Sequence, residues 1–271
     1  MINLKPSLPK RIVCLTEETT ETLYTIGASD LIVGITEYTV RPPQARAEKP
    51  IVSRFLDANI ENIINLKPDI VLGWSDLQAD IAKDLIKSGI EYYNFNHRDI
   101  NGILSMILRL GAVVGKLNEA EMLVEELINK ISHTKMLSDK NLYRPKVYFE
   151  EWFNPIISGI CWVSEIIEVC GGDDIFAENR IHQAAKDRII ENSNEIVKHN
   201  PDIIFVSWCG KPFRKKTMLK REKWEDLTAV IHNEIHEIDS AIILQPGPAS
   251  LTDGLDIISK IIKDWNDKKK G

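Results

Sequence analysis

Hydrophobic runs of four to six residues punctuate the first hundred positions, and between them apolar side chains recur at helical spacing. Residues 11–15 (RIVCL), 31–36 (LIVGIT), 70–74 (IVLGW) and 91–95 read as strands, with a shorter candidate at 51–52. The run at 70–74 has no polar alternation, as expected of a strand buried on both faces. Residues 19–26, 60–66 and 79–87 read as helices ended by Gly27, Pro68 and Gly89. Strands alternating with helices predict a parallel sheet covered on both faces. From residue 100 to about 137 turn signals nearly vanish. Ile100, Ile103, Leu104, Ile107 and Leu108 form one helical stripe. Ala120, Leu123, Val124, Leu127, Ile128 and Ile131 form another, with Asn118 placed to cap it. A helix of ~20 residues spans ~30 Å, enough to cross from one lobe to another. The alternation then resumes, with strands at 146–149, 202–207 and 236–238, helices at 163–169, 229–232 and 254–265, and a lysine-rich tail at 266–271 expected to fray.

The two halves echo each other. Ile64-x-x-x-Pro68-Asp69-Ile70-Val71 and Trp74 resemble Val197-x-x-x-Pro201-Asp202-Ile203-Ile204 and Trp208. Ile26-Gly27-x-x-Asp30-Leu31-Ile32 resembles Cys170-Gly171-x-x-Asp174-Ile175-Phe176. The order is the same and the offsets are similar, so the chain reads as two α/β lobes with parallel sheets. The expected division is an N-terminal lobe at residues 1–117, a connecting backbone helix at 118–140, and a C-terminal lobe with a closing helix at 141–271. The default ligand site of such a pair is a cleft between the lobes, where strand ends face each other.

Composition narrows the function. The 271 residues are 44% hydrophobic and 27% charged, with a net charge of −6, and this balance argues against a general nucleic-acid binder. No apolar run approaches the ~18–20 residues of a membrane span. Residues 1–10 carry no apolar leader core and no small-residue cleavage site, so a cytoplasmic location is expected, or a periplasmic or cell-surface one if a signal was removed. Cys14, Cys161, Cys170 and Cys209 match neither a zinc motif nor a redox pair and read as unbridged thiols. GxSxG, GxGxxG and HExxH are absent, and Ser132-x-x-Lys135 lacks its usual companions, so a non-enzymatic role without a covalent cofactor is expected.

The strand RIVCL, then E-x-x-T-E-x-L-Y-x-I-G-A-x-D-x-I-V-G-I, then I-x-N-L-K-P-D-I-V-L, the long middle helix, and W-V-S-E-I-I-E-x-C-G-G together resemble the class III substrate-binding proteins. These are the cobalamin- and siderophore-binding proteins associated with ABC importers. Residues 151–172 and 244–255 are most similar to the cobalamin-binding branch. The resemblance implies two α/β lobes joined by one rigid helix. It also implies a corrinoid as bound ligand, held without catalysis, and an ABC importer as partner to a monomeric receptor. Haem or a ferric siderophore is the alternative ligand, and a cytoplasmic accessory protein or enzyme acting on a cofactor precursor is the alternative role. Two departures bear on docking. The export signal of the family is missing from residues 1–10. Asp80 stands near the place of the family's N-lobe acidic residue, but the corresponding C-lobe loop is basic (Lys211, Arg214, Lys215, Lys216).

Candidate ligand-binding residues lie just after the strands: Glu17, Glu37, Tyr38, Arg54, Phe55 and Trp74 in the first half, and Glu151, Trp152, Trp162, Trp208 and Gln245 in the second. Aromatic rings suit a large flat ligand. Glu17, Glu37 and Glu151 would accept hydrogen bonds from ligand amides, or else are helix-start carboxylates favoured by the macrodipole. Arg54 would hold an anionic group, or else sits on the surface. Trp74 and Trp208, at matching positions, are expected to border one inter-lobe pocket, unless each plugs its lobe's core. His97, His182 and Cys209 are the candidate axial ligands for a bound metal, while His232 and His236, four apart, lack a third ligand. The basic stretch at residues 211–223 reads as a solvated loop, or else as a patch for an anion or acidic partner. No resident metal is expected.

Overall fold

The structure is a computed structural model that describes residues 6–270. Residues 1–5, half of the N-terminal segment on which the export expectation rests, lie outside them, as does Gly271. The chain divides into two compact units: Met1–His97 with Asn101–Glu126, and Arg98–Ile100 with Leu127–Gly271.

Unit 1 runs β1 (Ile12–Cys14), α1 (Glu17–Thr25), β2 (Ile32–Thr36), α2 (Ala45–Glu48), β3 (Ile51–Ser53), α3 (Ile60–Asn65), β4 (Ile70–Trp74), α4 (Ala79–Lys87) and β5 (Tyr92–Phe95). Its five strands pair in the order β3-β2-β1-β4-β5, all parallel. Val13, Leu15, Val52, Ile63, Val71, Ile81 and Leu85 form a core cluster of this unit. Each such buried side chain contributes roughly 1.5–3 kcal/mol.

The middle segment folds as α5 (Ile100–Val113) and α6 (Leu117–Ser138). α6 is one uninterrupted helix of 22 residues, counted with unit 1 up to Glu126 and with unit 2 from Leu127. Its buried stripe is Ala120, Leu123, Val124 and Leu127, while Ile128 lies off it at 46% exposure. The helix begins before Asn118. The Lys116 carbonyl accepts the Ala120 amide at 3.0 Å, so Asn118 sits inside the first turn and does not cap it.

Unit 2 contains β6 (Lys146–Phe153), β7 (Ile156–Ser158), α7 (Cys161–Val169), β8 (Asp173–Asp174), α8 (Asn194–His199), β9 (Ile203–Val206), α9 (Lys215–Met218), α10 (Thr228–Ile231), β10 (Ile235–Glu237), α11 (Ser240–Ile243) and α12 (Leu255–Lys270). The order is β10-β9-β6-β7, with β8 beside β6. β6, β9, β10 and β8 are parallel, but β7 folds back antiparallel on β6. The second sheet is therefore mixed, because β6 extends past Phe149 into a hairpin. The tail does not fray within the described residues. α12 continues to Lys270, Asn266 is fully buried with its amide on the Tyr143 carbonyl, and Lys268 pairs with Glu234 at 2.7 Å.

The repeated motifs have a common physical basis. Asp69, just before β4, accepts the Lys10 and Arg11 amides at 2.7 and 2.9 Å; Asp202, just before β9, accepts the Lys146 amide at 2.9 Å. Each aspartate thus ties its strand to the start of the neighbouring one. Gly27 and Gly171 take φ of +69° and +89° after α1 and α7. The next amides, Ala28 and Gly172, bond back to Leu23 and Ile167 at 2.7 and 2.9 Å. That is a left-handed helix stop, which a glycine takes without steric cost.

Candidate functional site

Because the strands of unit 1 are parallel, the residues that follow them gather at one sheet edge. In open α/β sheets that edge is where ligands bind. Glu17 opens α1 there, partly exposed behind Thr16. Glu37 and Arg54, after β2 and β3, pair at 2.7 Å with side chains 43% and 67% exposed. Arg54 therefore already has a carboxylate partner, and an exposed pair of this kind adds little stability. Tyr38 and Leu56 are exposed on the same loops, and Leu77 is exposed in the turn after β4. Phe55 and Trp74 are half-buried with ring centroids 6.2 Å apart, and Trp74 Nε1 donates to the His97 carbonyl at 3.0 Å.

A residue outside the sequence-based candidates holds this edge together. Gln78 is fully buried. Its Oε1 accepts the Trp74 amide at 3.0 Å, and its Nε2 donates to the carbonyls of Phe55 at 3.0 Å and Leu15 at 3.3 Å. One side chain thereby links the ends of β1, β3 and β4. Gly73 makes room for it, since a Cβ there would stand 1.9 Å from Tyr92 Oη and 2.7 Å from Gln78 Oε1.

In unit 2 the ends of β6 and β9 carry a row of rings. Trp152 and Phe153 lie 5.2 Å apart, Phe153 and Trp208 4.6 Å, and Trp208 and Phe213 5.2 Å. Trp152, Phe153 and Phe213 are half-buried. Lys211 Nζ stands over the faces of Trp152 and Phe153 at 5.1 and 5.6 Å, a favourable position for a cation. Trp208, Lys211, Pro212, Glu237, Asp239 and Ser240 line an open pocket of about 500 Å³ beside this row.

Several expectations change here. Trp162 is 1% exposed and its Nε1 donates to the Ile243 carbonyl at 2.9 Å, so it fills the core of unit 2. Trp208 is 5% exposed and packs in the same unit's core; it backs the aromatic row, and its open face is slight. Trp74 and Trp208 thus follow equivalent strands but differ in exposure. Glu151 accepts two guanidinium bonds, at 2.7 and 3.1 Å, from Arg188, which is 1% exposed. Its carboxylate compensates a buried charge. Gln245 is half-buried and its carbonyl accepts the Gly247 amide at 2.8 Å. His236 contacts Glu234 at 2.9 Å, and His182 is half-buried. Among the described residues no group of three or more His, Cys, Asp or Glu is arranged to hold a metal ion.

The basic stretch is also not uniformly solvated. Arg221 turns inward to Glu150, which is fully buried. Burial pushes the Glu150 carboxyl up, and its bonds from Arg221, Tyr148 and Trp208 pull it back. Desolvation next to that carboxylate raises Tyr148 well above the usual phenol range.

Two α/β units and a continuous long helix are the fold of the helical-backbone class of binding proteins. The chain belongs to the periplasmic binding protein family, whose sequence profile matches residues 12–242. An ABC transporter substrate-binding lipoprotein of Bacillus subtilis, YvrC, is 27% identical over 266 residues, covering 94% of this chain and 80% of that protein. The vitamin B12-binding protein of Vibrio cholerae is 24% identical over 256 residues, covering 91% and 87%. Among solved structures, the V. cholerae vitamin B12-binding protein BtuF superposes with a TM-score of 0.75 at 23% identity, covering 96% of this chain and 99% of that one. The heme-binding protein RhuT of Roseiflexus gives 0.80 at 18%, covering 95% and 99%. These relatives are binding proteins, at family level a non-enzymatic role. They also overturn the expected cytoplasmic location, because they are described as periplasmic or as a lipoprotein of a transporter.

Proposed function

We propose that this chain is a non-enzymatic receptor for a planar metal chelate, a corrinoid in the first instance, that serves an ABC importer. The carboxyl edges of its two units are the ligand-bearing surfaces. The observation that carries the reading is the aromatic row Trp152–Phe153–Trp208–Phe213, whose outer members remain half-open at the strand ends. Such rings suit a flat ligand of large area. Tyr38, Phe55 and Trp74 supply apolar surface in unit 1, with Glu17 and Glu37 as acceptors for amide groups. The vitamin B12-binding relatives support the corrinoid.

Haem is the second reading, favoured by Lys211. An ammonium above two rings would meet a carboxylate carried on the edge of a stacked macrocycle. The test is the visible absorption spectrum of the protein purified from its native host, since corrinoid, haem and ferric catecholate have different bands. A corrinoid spectrum in stoichiometric amount supports the first reading and a Soret band the second. Purification with a stoichiometric colourless organic ligand refutes both.

A further inference from the structure

Arg221 makes contacts that a solvated loop cation does not need. Its Nη1 pairs with Glu150, and its Nη2 donates to Glu150 Oε1 at 3.1 Å and to the Phe153 carbonyl at 2.9 Å. Its guanidinium lies 4.5 Å from the Trp224 ring centroid. The same Glu150 carboxylate accepts Trp208 Nε1 and the Tyr148 hydroxyl, each at 3.0 Å. One ion pair therefore fixes the backbone of Phe153 and the indole of Trp208, two neighbours in the aromatic row.

Stability alone accounts poorly for this arrangement. A buried ion pair gains little over apolar residues of the same volume, because desolvation offsets the attraction. What an apolar pair cannot supply is direction: a donor to the Phe153 carbonyl and an acceptor for the Trp208 indole. We infer that Arg221 and Glu150 are the positioning residues of the unit 2 aromatic row. They set the angle at which Phe153 meets a ligand and fix Trp208 behind it. They also draw the basic stretch back so that Lys211 and Phe213 stand against the rings. The ligand part of this inference rests on the proposed function; the ordering of the stretch does not.

The test compares wild type with the double variant Glu150→Gln/Arg221→Met, which removes both charges while leaving glutamine to accept from Trp208. Thermal unfolding, affinity for cyanocobalamin and for haemin, and the rate of tryptic cleavage at Arg214, Lys215 and Lys216 are measured. The double variant is expected to melt within a few degrees of wild type. It should bind whichever probe wild type binds at least tenfold more weakly, and be cut in the basic stretch at least tenfold faster. A purely stabilising pair would return affinity together with melting temperature. Wild-type affinity and wild-type cleavage in the double variant overturn the inference. If wild type binds neither probe, the ligand reading fails and cleavage alone decides. If the double variant is cut throughout the chain, Arg221→Gln is read by the same criteria.

Discussion

Replacing Trp152 by alanine separates a ligand-facing ring from a core ring. Trp152 is half-buried at the end of β6, with its Nε1 on the Asn154 carbonyl at 3.0 Å and its ring beside Phe153 and Lys211. Stacking one aromatic ring on a flat ligand and burying both faces is worth on the order of 1–3 kcal/mol. At about 1.4 kcal/mol per decade, the affinity should fall roughly 5- to 150-fold. Folding should suffer less than from the loss of a fully enclosed ring, since Trp152 is only partly buried at the edge of the unit 2 core. Trp162→Ala is the control. That ring is fully enclosed with its N–H satisfied, and its loss should cost ~3–5 kcal/mol of stability. Isothermal titration with the chelate that wild type binds is run beside urea unfolding for each variant. If Trp152→Ala binds like wild type but unfolds at much lower urea, Trp152 is a packing residue and the placement of the ligand surface is wrong.

Gln78→Leu should lower stability by about 2–3 kcal/mol, because the buried amide of Trp74 loses its acceptor; a urea midpoint equal to wild type would show that the clamp is dispensable. Glu151→Gln removes the charge facing buried Arg188 and should cost toward the low end of the ~3–5 kcal/mol typical of a broken buried pair, read the same way. Burial raises the Cys161 thiol to about 11 and Cys14 to about 12, whereas Cys209 is exposed. Iodoacetamide at pH 8 should therefore modify Cys209 first, and Cys161 labelling should climb about tenfold per pH unit up to pH 10 as its thiolate fraction grows. Equal labelling of Cys161 and Cys209 at pH 8, by peptide mass spectrometry, would contradict this.

The elements with strong periodicity were legible from the sequence. β4 and α4 run from Ile70 to Trp74 and from Ala79 to Lys87, as the apolar pattern and the Gly89 stop predict. The internal echo was legible too, because Asp69 and Asp202 perform the same backbone capping. What escaped were side chains whose role depends on distant partners. Reading β6 as ending at residue 149 hid the hairpin. It also hid the fact that Tyr148 and Glu150, two apart on a strand, share one face. Arg221 lies 71 residues from Glu150, and nothing in a basic stretch marks which cation turns inward. Gln78 gave no signal because its three partners come from three separate strand ends. The burial of Trp162 and Trp208 was open in the sequence for a related reason: an aromatic residue near a strand end has the same sequence signature on the core side as on the open side.

The most direct measurement is an equilibrium titration of the protein with cyanocobalamin, haemin and a ferric catecholate in turn, followed in the visible band and by tryptophan fluorescence. The account predicts saturable binding of cyanocobalamin or haemin at one per chain, with a Kd below about 1 μM, or roughly −8 kcal/mol. Tryptophan emission should be quenched in step with the band shift. Absence of saturable binding of both cyanocobalamin and haemin, with the protein folded, or binding of the ferric catecholate alone, would contradict it.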